Sequence, residues 1–122
     1  METQIYSLLS NSATIMAQTS TRIYVSLLPQ FIDYPAIRFQ RILGIPVNSL
    51  SGYTSSENVH FQIDCFATSY KTAYELSTVV HRVMDEATFK SLLTLNQDLS
   101  EPMPDNSFLF RITQDYSCWN KT

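Results

Sequence analysis

Glycine is nearly missing from this chain. Gly44 and Gly52 are its two glycines, so no phosphate-cradling loop of the GxGxxG or GxxxxGK kind can be built. A GxSxG nucleophile motif is likewise missing, and none of the many serines has a neighbourhood that suggests activation. Cysteine is equally scarce. Cys65 and Cys118 cannot make a disulfide framework, and neither has CxxC or Cys/His spacing. Charge is low at 16% of residues, and the eight basic residues are scattered under a net charge of −3, which argues against dedicated recognition of nucleic-acid phosphates. No stretch approaches 18 apolar residues, and the opening METQIYSLLSNSATIMAQ lacks the charged start and apolar run of a signal peptide. The expectation is a protein made and kept in a cytoplasm, with no membrane segment.

What the chain does have is hydroxyl and apolar residues. Serine and threonine together number 27 and apolar residues make up 44%, so the surface is rich in small uncharged polar groups. Such groups cost less to desolvate than ions, and that composition suits contact with other proteins. The length fits one domain spanning 1–122, with a single core.

The stretch FQIDCFATSYKTAYEL, 61–76, changes period halfway. From Phe61 to Ala67 apolar and polar residues alternate, as in a strand with one buried face. From Thr72 onward Ala73, Leu76, Val80, Val83, Met84 and Ala87 fall on one side of a helix, which must fold back on the sheet it has just left. Thr72 and Glu75 have the form of a capping box. Cys65 shares the apolar phase with Phe61 and Ile63 and reads as a buried small hydrophobe, whereas Cys118 is open between exposed and packed.

Upstream, Ile5, Leu8, Leu9, Ala13 and Met16 form a helical stripe that Ser10, Asn11 and Ser12 divide into two short helices. RIYVSLLP predicts a strand through Ile23, Val25 and Leu27, closed by Pro29. PAIRFQRIL predicts a second strand, ended by Gly44 and Pro46, and the polar 48–58 segment predicts a loop. A third strand runs from Asn58 or Val59 to about Thr68. After the helix, 89–96 and 107–119 read as strands, the latter alternating Phe108, Phe110 and Ile112. The proline- and acid-bearing 97–106 segment reads as a loop. The expected fold is α+β: an N-terminal helix and a mainly antiparallel sheet with one principal helix packed on one face. The other face, bare and polar, would display Arg38, Gln40, His60, Gln62 and Asp64.

No catalytic constellation emerges. His60 and Asp64 share a strand face but lie four residues apart, roughly 13 Å at 3.3 Å per residue, too far to share a metal or a proton. His81 and Asp85 are spaced for an ordinary i, i+4 helix pair, and Asp85 and Glu86 diverge on a helix. Trp119, Tyr116 and the phenylalanines offer no base-stacking platform without a basic groove, and core packing explains most of the phenylalanines. The expectation is a non-enzyme without cofactor or metal.

RIYVSLLPQ (22–30), PAIRFQRILGIP (35–46), SLSG (49–52) and HFQIDCFATSYKTAYEL (60–76) follow one another in an order and spacing that resembles the tail-completion family of long-tailed bacteriophages, the tail terminator or head-to-tail joining proteins. Each piece is a short strand pattern, and their succession over about half the chain carries the resemblance. His60 departs from the pattern, which commonly has Arg before Phe-Gln.

The resemblance implies a tail-terminator-like fold and a structural virion protein. It would form a homohexameric ring at the head-proximal end of the tail tube, in the neck, ending tube polymerisation and presenting the joining interface. Its implied partners are copies of itself, the tail tube protein and a head-tail connector or stopper protein, with genomic DNA passing through the lumen without specific binding. Two expectations follow about residues. Arg38, Gln40, His60, Gln62 and Asp64 would face the lumen or a neighbouring subunit. The loop Asn48, Ser49, Leu50, Ser51, Gly52, Tyr53, Thr54, Ser55, Ser56 and Glu57 would contact a neighbouring ring, since long polar loops in small domains usually carry function. The chain would stay monomeric until it meets a tail end. A head-side connector or stopper ring is the alternative reading, and a small ferredoxin-like ligand- or nucleic-acid-binding module a more distant one.

Overall fold

The chain begins with α1 (Glu2–Ser10) and α2 (Ala13–Thr19), then runs through β1 (Ile23–Val25), β2 (Ala36–Ser49), β3 (Gly52–Ala67), α3 (Tyr70–Asp85), β4 (Lys90–Pro102) and β5 (Phe108–Lys121). The structure, a computed structural model, describes residues 2–29, 32–49, 52–87, 90–102 and 108–121. The strands form one sheet in the order β1-β2-β3-β5-β4. β1 runs parallel to β2, and every other neighbouring pair is antiparallel.

The helices arise where the sequence places them. Ser12 divides α1 from α2 and caps the second, its Oγ accepting the Ile15 N–H. α3 starts one turn before the expected capping box. Ser69 is its N-cap and accepts the Thr72 N–H at 3.2 Å, so Thr72 is the capped residue rather than the cap. All three helices lie on one side of the sheet. Ile5, Leu9 and Ile15 share a single apolar cluster with Ile37, Phe39, Phe61, Ile63 and Cys65 from the strands and Leu76, Val80 and Met84 from α3. Fully burying a side chain of this size contributes about 1.5–3 kcal/mol, which fixes the alternation of β2 and β3.

The strands depart from expectation at their ends. β1 is three residues long instead of reaching Leu27, because Ser26 takes a left-handed φ of 67° and Leu27 stands 82% exposed. β2 does not stop at Gly44 and Pro46. It continues to Ser49, with Pro46 opposite Glu57, Asn48 opposite Tyr53 and Ser49 opposite Gly52. Half of a strand's N–H groups point away from any one neighbour, and β1 covers only Ile37–Phe39 on the other side, so a proline here forfeits little. The segment expected to be a loop, Asn48–Glu57, is therefore mostly the tip of a long β-hairpin, with Leu50 and Ser51 outside the described residues. Similarly β4 extends through Pro102, overturning the loop expected from Gln97 onward, while 103–107 lie outside the described residues. In both cases backbone pairing holds a segment of mainly polar sequence, and such strands leave no period-2 signal.

Candidate functional site

The side of the sheet away from the helices carries a row of paired polar groups. Strand register sets Arg38, Asp64 and Thr113 side by side, then Gln40, Gln62 and Asp115, then His60 and Ser117. Asp64 is at the centre and is wholly buried. Its Oδ2 accepts from both Nε and Nη2 of Arg38, at 3.1 and 2.5 Å, and its Oδ1 accepts from Thr113 Oγ1 at 2.7 Å. Gln62 Nε2 adds contacts of 3.1 and 3.2 Å to the same carboxylate. A buried carboxylate is tolerated only when its lone pairs are this well occupied. The Arg38 guanidinium also lies 5.5 Å from the centre of the Phe66 ring, with that of Arg111 at 6.0 Å.

The row continues toward the hairpin. His60 Nε2 is 2.9 Å from Asn58 Oδ1, and Asn58 Nδ2 donates to Ser117 Oγ at 2.8 Å and to the Cys118 carbonyl. His60 and Asp64 thus belong to separate clusters. Asp115 differs from Asp64 in that its Oδ1 is buried and accepts no hydrogen bond. Burial, helped by the nearby charge of Asp64, pushes the Asp115 carboxyl up from its ordinary range, and His60 opposes this. A raised folded pKa means that the native state holds its proton more tightly than the unfolded chain, so stability falls as pH rises through the carboxylate range and stays reduced above it. Asp115→Asn is therefore expected to raise Tm at pH 7, with the gain shrinking toward pH 4 in thermal scans. An unchanged difference across that range would refute the assignment.

The five residues expected on this face are thus together on it: Arg38, Gln62 and Asp64 share one hydrogen-bonded cluster, His60 belongs to a second with Asn58 and Ser117, and Gln40 is placed by register alone. Sequence reading missed the β5 contribution of Arg111, Thr113, Asp115 and Ser117, since nothing local says that β5 inserts beside β3. The helix side holds a second buried polar ladder, in which Tyr116 OH donates to Gln114 Oε1 at 2.7 Å and Gln114 Nε2 donates to the Ser77 carbonyl at 3.1 Å.

Both thiols are buried. Burial and the charge of Asp64 push Cys65 far up, and burial pushes Cys118 up to about 11, so neither is a thiolate at neutral pH. The His81–Asp85 helix pair is present at 3.4 Å and is exposed. No cluster of His, Cys, Asp or Glu among the described residues could hold a metal, and no described helix is long and apolar enough to cross a membrane. A shallow groove of 320 Å³ between the α1–α2 turn and the end of α3 is lined by Leu8, Asn11, Ser12, Val83 and Glu86, without convergent polar chemistry.

The profile of the tail completion protein gp17 family matches residues 3–121. The chain belongs to that family. This tail completion family member is a structural protein of phage-type tails, as its sequence resemblance implied. Its fold is also that of a chain in the virion of a native gene transfer agent particle, with a TM-score of 0.66 over 98% of this chain and 92% of that one, at 12% identity. No curated protein sequence matches it.

Proposed function

We propose that this tail completion family member forms a ring at the head-proximal end of the tail tube, where it stops tube growth and presents the surface that the head connector joins. The match of the family profile across nearly the whole chain carries this reading. Two physical features support it. A sheet covered by helices on one side only leaves a broad prearranged surface for a lumen or a neighbour, and the hydrogen bonds of Arg38, Asp64, Gln62 and Thr113 hold that surface rigid. Charge on the face is also balanced, with Arg38 and Arg111 against Asp64 and Asp115, so a lumen built from it would pass DNA without gripping it. In this reading the partners are copies of the chain, the tube protein on one side and a connector or stopper on the other, and the site is the virion neck.

Particles assembled without this chain are expected to separate into filled heads and tail tubes of uncontrolled length, and added chain is expected to bind the tube ends and restore joining. Electron microscopy of both preparations checks this. Normal joined particles in its absence would overturn the reading, and binding to heads but not tubes would move the ring to the connector side.

A further inference from the structure

Among the described residues, both lateral edges of the sheet carry exposed apolar side chains. β4 has β5 as its one strand neighbour among the described residues, and it carries Leu92 and Leu95 at 56% and 49% exposure. On the far edge β1 covers β2 only from Ile37 to Phe39, leaving β2 from Gln40 onward with no strand on that side among the described residues, and Ile42 there is 51% exposed. These two patches lie at the same height. Register runs Leu95–Asp115–Gln62–Gln40 and Leu92–Ser117–His60–Leu43 across the sheet, so the exposed leucines of β4 are level with the uncovered start of β2 around Ile42.

They also run the right way to meet. β2 is antiparallel to β3, β3 to β5 and β5 to β4, so β4 and β2 point in opposite directions. If one copy follows the next by rotation without inversion, β4 meets the next β2 as an antiparallel neighbour and the alternation continues across the junction. Each patch lies at a register irregularity, between Arg41 and Leu43 on β2 and between Leu93 and Leu95 on β4, so the two edges are shaped alike where they would meet, and their exposed apolar side chains are what soluble proteins otherwise keep few of.

We infer that copies of this chain join head to tail, the Leu92–Leu95 edge of β4 on one copy seating against the Ile42 region of β2 on the next. The contact is heterologous, each edge meeting the other and never itself, which is the kind that closes into rings. This rests on the ring reading and specifies which surfaces build it.

The test uses complete particles carrying Ile42→Cys, Leu95→Cys or both, treated with a short bismaleimide. The native thiols are fully buried and do not compete. The double variant is expected to shift from monomer to a ladder of cross-linked copies, each single variant alone to stay monomeric, and the two single variants co-assembled to give dimers. Folded single variants that fail to enter particles, while Tyr74→Cys assembles normally, would also support the contact. Dimers from either single variant alone would overturn the inference, as would an uncross-linked double variant in particles whose ring is visible by microscopy; in both cases the ring reading survives. Particles with no multi-copy ring of this chain would end both.

Discussion

Arg38→Met is expected to lower the unfolding free energy by about 3 kcal/mol, the low end of the range for orphaning one member of a buried ion pair. Asp64 has no exposed surface, and Arg38 supplies both donors to its Oδ2 apart from the longer contact of Gln62. Removing the guanidinium leaves a buried carboxylate with Thr113 and Gln62 as partners, which keeps the penalty from being larger. The double variant Arg38→Met, Asp64→Leu removes the charge along with its partner and is expected to regain at least half of the loss, since a buried pair is often worth no more than apolar residues of like volume. Urea denaturation of the wild type, both single variants and the double variant closes the cycle. A cost below about 0.5 kcal/mol for Arg38→Met, the level of an ordinary surface change, would show that Asp64 is not held as described.

The second expectation concerns the hairpin. Ile45 and Asn58 are register partners, so residues 46–57 can be excised and the two strands joined through Asn-Gly, a two-residue turn suited to the twist of paired strands. Pairing of β3 with β5 begins only at Ser56, so beyond it the described tip is a two-stranded ribbon, and the excision gives up only the Ser56–Lys121 and Glu57–Asn120 pairs of that ladder. An isolated ribbon of this kind has marginal stability in water, and its removal is expected to leave Tm nearly unchanged. Joining of heads to tails, by contrast, is expected to fall by two orders of magnitude or more, as for removal of a central interface cluster worth about 3 kcal/mol or more. Counting joined particles by microscopy alongside a thermal melt separates the two effects. Normal joining with the tip gone would rule out the ring contact expected of it.

Much of this architecture is legible in the period of the sequence alone, and the places where it is not share one cause. Val59, Phe61, Ile63 and Cys65 alternate with polar neighbours because one face of β3 is buried, and the same alternation puts Arg38, Gln62 and Asp64 on the opposite face. Asn48–Glu57 and Gln97–Pro102 have no such pattern, as their strand state comes from partners in register and not from a buried face. Gln114 is illegible for another reason. It is a polar side chain on the core side, satisfied by Ser77 and Tyr116, residues 37 and 2 positions away, and only the folded chain shows that its donors and acceptors are met. The neighbour relation of β3 and β5, which completes the outer network with Thr113, is a matter of topology that local sequence does not encode.

β3 serves two masters on alternate residues, core packing through its odd-numbered positions from Val59 to Cys65 and the outer network through its even ones. Inserting or losing a single residue would swap the two sets at once, sending Asp64 into the apolar cluster and phenylalanine into the outer row. Lineages of this protein can therefore lengthen or shorten that strand only by even steps or at a bulge, while either surface drifts in composition without disturbing the other.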